Sequence, residues 1–283
     1  HDQASYLSTC LEKHLLANHY FANLKALLFA GVIFDNQKWI RIAYEGLNKE
    51  IDEQILNDGT HFELSPMYHT IFLTDLLDII NLSKYKPKYF EENFIEKIKQ
   101  NIKKMFSCLN SLVHADNGLS YFNDSVDGIA PSKFKLTEYA KKLSLEIDDL
   151  NQRNLLCLED SGFIIAQTKS NKIIFNATNI SPDYNPGHAH ADSLSFEMSI
   201  GNERVFVNKG ISRYGDSSKR IEERATRSHN TVCVDEVDSS QVWSGFRVAK
   251  RATIKKRDCK ILQKGKIIMS AEHDGFKKIF NGP

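Results

Sequence analysis

The spacing of apolar residues changes part-way along this chain, and that change limits the fold more than any other feature. Up to about residue 150 the apolar positions recur at helical spacing, as in Leu24, Leu27 and Leu28, then Ile40, Ala43, Leu47, Ile51 and Ile55. Segments 71–82 and 90–112 repeat the pattern, the second with Phe94, Ile98, Ile102, Met105 and Leu109 on one stripe. Short breaks such as Asn57-Asp58-Gly59 and Asp116-Asn117-Gly118 separate the segments. Helix hairpins joined by short returns predict a layered array or toroid. From Gly162 the apolar runs are short and β-rich, at 163–166, 173–175, 194–198, 205–207, 231–234 and 267–269. Strands spaced this way, with no helices between them, predict a β-sandwich. The boundary is expected between residues 151 and 160.

A chain of 283 residues can build one large domain or two medium ones. Its 37 Lys+Arg and 36 Asp+Glu nearly cancel, so no global field draws in nucleic acid or acidic lipid, and an anionic partner needs a local cluster. The five cysteines are scattered, odd in number and free of CxxC pairs, which predicts isolated thiols. No stretch reaches the roughly 18 apolar residues of a membrane span. The chain starts on His1 without a signal peptide and stops just after a strand-like run, so both ends are expected to be cuts through a larger protein.

Four polar clusters stand out. Asn185-Pro186-Gly187-His188-Ala189-His190-Ala191-Asp192 runs through a Pro-Gly turn into a strand. If that strand starts early, the two-residue period turns His188 and His190 to one side, where they bind a metal together or divide metal binding from proton transfer. Satisfaction by backbone carbonyls is the ordinary fate of a lone loop histidine; His-x-His-x-Asp after Pro-Gly favours function. In the second cluster, residues 58–69, Ser65 reads as an N-cap and Pro66 as the first helical residue. Tyr68 and His69 then lie near the positive end of the helix, where a phenol should ionise or give up its proton more readily. Asn18-His19 opens an apolar helix despite the poor helix propensity of Asn. Last, His229 in Arg227-Ser228-His229-Asn230-Thr231 precedes a strand and is a candidate third metal ligand.

Taken in order, these clusters resemble the heparinase II/III-like polysaccharide lyases. The likeness rests on Asn18-His19, Lys25-Ala26-Leu27, the run from Gly59 to His69, Phe122-Asn123-Asp124-Ser125, and Gly187-His188-Ala189-His190-Ala191-Asp192. It continues through Arg227-Ser228-His229-Asn230-Thr231 and Trp243-Ser244-Gly245-Phe246-Arg247-Val248, and so spans nearly the whole chain. It implies an incomplete (α/α) toroid over residues 1–155 followed by an antiparallel β-sandwich over 156–283, both truncated here.

The resemblance further implies β-elimination at a uronic acid, with loss of the C5 proton and of the 4-O-linked sugar. Asn18 and His19 match the groups that neutralise the substrate carboxylate, whose charge would otherwise oppose the carbanion. Tyr68 matches the tyrosine that protonates the leaving oxygen and also takes the C5 proton, and His188 matches the base for the opposite epimer. His69, Glu63, Tyr214 and Arg227 are expected to bind substrate. A structural divalent ion, zinc or calcium, is implied at His190, Asn208 and His229, although Asn208 is a neutral amide where relatives carry aspartate. An acidic polysaccharide is the expected partner, without nucleic acid or membrane span, and the periplasm or the exterior the expected location. Two competing readings are an inactive glycan binder of the same fold and a metal-dependent glycan hydrolase using His188, His190 and His229.

Overall fold

The apolar stripes of the first half fold as helices. The computed structural model describes residues 1–147 and 153–280, so the first two positions of the expected boundary, 151–152, and the last three residues fall outside it. The helices are α1 (Asp2–Thr9), α2 (Ala17–Ile33), α3 (Gln37–Gln54), α4 (Pro66–Tyr85), α5 (Glu92–Leu112) and α6 (Lys133–Lys142). Helix α2 packs on α3 and α4 on α5, and α2 also reaches α4. Leu24, Leu27 and Leu28 of α2, Leu47 of α3, Leu73, Leu76 and Leu77 of α4 and Ile98 and Leu109 of α5 form one fully buried core. Each such side chain contributes roughly 1.5–3 kcal/mol by leaving water. Gly46 lies inside α3, a costly place for glycine. The reason is contact, because a Cβ there would come within 2.6 Å of the Leu24 methyl carbons.

The second half builds an antiparallel sheet in chain order, β1 (Leu155–Cys157), β2 (Phe163–Gln167), β3 (Asn171–Asn176), β4 (Phe196–Ile200) and β5 (Glu203–Phe206). Phe163, Ile165 and Ile174 of this sheet pack with Leu64, Cys108, Leu112 and Phe122 from the helical half, which gives the seam a core of its own. Helix α7 (Ser218–Arg224) follows, then the hairpin β6 (Val242–Trp243) and β7 (Arg247–Val248), the hairpin β8 (Ile254–Ile261) and β9 (Ile267–His273), and α8 (Gly275–Phe280).

Three expectations need correction. Residues 231–234 form no strand, only an isolated bridge between Val234 and Val237, and Val232 is 73% exposed. The second half is not free of helices, since α7 and α8 interrupt it. Nor are all the cysteines isolated. Cys157 of β1 and Cys259 of β8 form a disulfide across 102 positions, leaving Cys10, Cys108 and Cys233 as thiols.

Candidate active site

The site forms where three loops and two helix starts meet at the seam. Ser65 caps α4 by accepting the Tyr68 N–H at 3.2 Å, with Pro66 fixing the first helical φ. The Ser65 hydroxyl in turn donates to the Asp124 carbonyl at 2.6 Å. The Asp124 N–H donates to the His188 carbonyl at 3.0 Å, so the loop around Asp124 ties the Tyr68 helix to the His188 loop. Asn123 adds two more ties, donating to Leu64 O at 2.9 Å and accepting the His190 N–H at 3.1 Å.

These ties bring Asn18, Tyr68 and His188 together. Asn18 Nδ2 donates to His188 Nε2 at 3.2 Å, and the Tyr68 and His188 rings lie 3.9 Å apart. Tyr68 and Tyr214 share a hydrogen bond between hydroxyls at 2.9 Å, and Tyr214 stacks on Phe246. Burial pushes the Tyr68 phenol well above the ordinary tyrosine range, and the Tyr214 hydrogen bond and the nearby carboxylates add to it. The expected easier ionisation is therefore reversed. At rest Tyr68 is a protonated phenol, suited to giving a proton. Burial likewise raises Tyr214, to about 12.

His188 and His190 converge as expected, but not through a strand, for β4 begins only at Phe196. They meet on the Asp124 carboxylate. His188 Nδ1 donates to Oδ2 at 2.8 Å and His190 Nε2 to Oδ1 at 2.8 Å, while Arg220 donates from both terminal nitrogens to the same two oxygens. Despite complete burial, these donors hold the Asp124 carboxyl far below the usual range. Sequence reasoning gave Asp124 no role and counted Arg220 only as one basic residue among many. The sole available signal was Asp124's place in the Phe-Asn-Asp-Ser motif.

The other expected residues divide. His19 is exposed, its Nδ1 3.6 Å from Glu12, though it lines a cavity of about 260 Å³ with Asn18 and Tyr68. Glu63 is buried behind Asn18, accepting from its Nδ2 at 3.5 Å, so it acts on Asn18 and has no open face for substrate. His69 is also buried, with Nε2 donating to Met105 O at 2.9 Å and Nδ1 accepting the His61 N–H at 3.2 Å. Both nitrogens are occupied inside the fold, which corrects its expected contact with substrate. Arg227 is exposed in the short turn Thr226–Ser228, beside Glu222 and Asp238.

At the expected metal site, His190 Nδ1 faces His229 Nε2 at 3.0 Å. A carboxylate or carbonyl oxygen only accepts, so His190 Nε2 carries a hydrogen toward Asp124 and His229 Nδ1 carries one toward Ala225 O at 2.8 Å. Burial lowers both rings, His229 to about 3. Two neutral imidazoles thus turn lone pairs on each other, a donor pair suited to a cation. Asn208, the third expected ligand, accepts the Asn230 N–H on its Oδ1 at 2.9 Å. Among the described residues no third His, Cys, Asp or Glu joins the two histidines.

Helices packed on an antiparallel sheet, with Asn18, Tyr68 and His188 in contact at their seam, define an α plus β protein of the heparinase kind. The chain belongs to the heparinase II/III family, whose N-terminal family model matches residues 1–145 and whose "Heparinase II/III-like, C-terminal" model matches 151–281. It is 29% identical over 263 residues to the heparin-sulfate lyase of Pedobacter heparinus, covering 83% of this chain and 38% of that protein. The fold is similar to the crystal structure of heparinase III, with TM-score 0.73 at 18% identity over 91% of this chain and 43% of that one. It also resembles heparan sulfate lyase HepC from Pedobacter heparinus, with TM-score 0.64 at 24% identity over 92% and 42%. The chain spans well under half the length of these relatives.

Proposed function

We propose that this chain carries the reaction centre of a polysaccharide lyase that cleaves a uronate-containing glycosaminoglycan, of the heparan sulfate type, by β-elimination. The observation that carries the reading is the direct contact of Asn18 with His188 and of Tyr68 with both His188 and Tyr214. The substrate carboxylate would draw the Asn18 amide away from His188, neutralising its own charge and freeing the Nε2 lone pair. For one epimer His188 takes the C5 proton. The C4–O bond then breaks, a C4–C5 double bond forms, and the departing oxygen takes the Tyr68 proton. For the other epimer Tyr68 serves at both steps, its own proton first passing to the neighbouring His188 ring. The phenolate takes the C5 proton and gives it to the departing oxygen, and His188 then returns the first proton to Tyr68. The Tyr214 hydroxyl remains to donate to the Tyr68 phenolate.

The same reading extends to the architecture, an incomplete (α/α) toroid over 1–155 followed by a β-sandwich over 156–283. A divalent ion held by His190 and His229 would cross-link two loops, and imidazole donors favour zinc over calcium; no step of the reaction runs through it. Metal content of the purified protein tests this, and a metal-free preparation of unchanged stability would remove it. Periplasmic or secreted location is supported by the Cys157–Cys259 disulfide, since such bonds persist in oxidising compartments.

The central test is incubation with heparan sulfate and other uronate polymers, read by ultraviolet absorbance of the unsaturated product. Tyr68→Phe should lower kcat by about 10²–10⁴-fold, the usual worth of a placed proton donor. Full activity in that variant would sink the mechanism, and binding without product across the panel would favour an inactive glycan binder.

A further inference from the structure

Asp124 is tied both to His188 and to the cap of the helix that carries Tyr68. Through its main chain it accepts from Ser65, the cap of the helix that carries Tyr68, and donates to the His188 carbonyl. Through its side chain it accepts from His188 Nδ1 at 2.8 Å. Being a carboxylate, it accepts and cannot donate, so the His188 ring hydrogen must sit on Nδ1 and the lone pair on Nε2, the atom that faces Asn18 at 3.2 Å. The opposite tautomer would aim a hydrogen at the substrate side and leave His188 useless as a base.

A buried carboxylate is expensive unless its oxygens are filled. Arg220 fills them in fork geometry from both terminal nitrogens, and His190 Nε2 adds a further donor at 2.8 Å. Arg220 is itself fully buried and anchored by its Nε donating to Gly245 O at 3.0 Å, in the turn between β6 and β7. It also lies over the rings of Tyr214 and Phe246, 5.4 and 5.5 Å from their centroids.

We infer that Asp124, held by Arg220, is the positioning residue that fixes the base-competent tautomer and the ring orientation of His188. The inference deepens the lyase reading and rests on it. Asp124 touches no substrate. It works through His188, as the aspartate of a hydrolytic triad works through its histidine. An amide at this position keeps the shape but leaves Arg220 without its counter-charge and can donate to Nδ1, which permits the wrong tautomer.

The experiment compares wild type with Asp124→Asn on heparan sulfate, with folding checked by circular dichroism and both kcat and KM measured. Expected is a fall in kcat of about 10²–10⁴-fold with KM little changed. The residual activity should shift toward the uronate epimer whose C5 proton Tyr68 takes, read from initial rates on substrates that each carry a single epimer. A purely structural role would lower both epimers alike. Separately, the ¹⁵N shifts of His188 in labelled wild type, assigned by difference from His188→Gln, report the tautomer even if Asp124→Asn fails to fold. A hydrogen on Nδ1 is expected. A hydrogen on Nε2, or a folded Asp124→Asn with wild-type kcat and epimer ratio, would overturn the inference while leaving the lyase reading intact. An inactive wild type would instead count against the lyase reading, and the ¹⁵N shifts would still judge Asp124.

Discussion

A phenol in the first turn of a helix gains roughly 0.3–1 kcal/mol toward its anion from the exposed peptide N–H groups. Burial at the seam and the negative charge of Asp124 and Glu63 act against this on Tyr68, and they dominate. Sequence supplies the helix position but not the depth of burial, so the residue was legible and its protonation state was not. His69 misleads for the same reason. Its place in a polar motif suggested a surface, whereas burial lowers its pKa from 6.5 to about 4. Between those values the unfolded chain binds a proton that the folded chain refuses, so the contribution of His69 to stability falls as pH drops from 6.5 toward 4. At about 1.4 kcal/mol per pH unit, His69 alone contributes roughly 3 kcal/mol to that loss. The fully buried His61, shifted in the same direction, adds to it. Buried Asp192, raised to about 7, acts with the opposite sign over the same range. The test is therefore the difference in urea midpoint between wild type and His69→Gln, which should shrink as pH falls from 6.5 toward 4; a constant difference would contradict this assignment.

Elements with an apolar stripe were readable, while those defined by contact were not. Helix α4 follows from period and its Ser65-Pro66 start, and α5 from period alone. Helix α7 escapes because its buried residues are Arg220, Glu223 and Arg224, which look like a solvated face until their partners are known. Arg224 donates to Ala189 O at 2.9 Å and to Ser244 O at 3.1 Å, so it holds the His188 loop against the β6–β7 turn. The convergence of His188 and His190 was anticipated through a strand and is achieved by a loop gathered around one carboxylate. If a cation joins His190 to His229, it staples this loop to the Thr226–Ser228 turn. Chelation should then lower the melting temperature, while kcat below that temperature changes little. Equal melting curves with and without chelator would remove the staple.

For the molecule as a whole, the order of helical and sheet halves was plain from the change of period, but the covalent link within the sheet half was not. Residues 102 positions apart pair only because the fold lays β8 beside β1. Closing a loop of that size restricts the unfolded chain by about 4–5 kcal/mol in the loop-entropy account. Cys259→Ser should therefore lower unfolding free energy by a few kcal/mol, and mild reductant should do the same to wild type but not to the variant. Peptide mapping without reductant that recovers Cys157 and Cys259 on separate peptides would refute the pairing. The bond also gives the chain a topology that a linear reading hides. A protease that nicks any single peptide bond between Cys157 and Cys259 leaves two fragments still joined as one covalent molecule, with Asn18 and Tyr68 on the first fragment. Damage to the intervening loops would pass unseen on a non-reducing gel and would surface only when the sample is reduced.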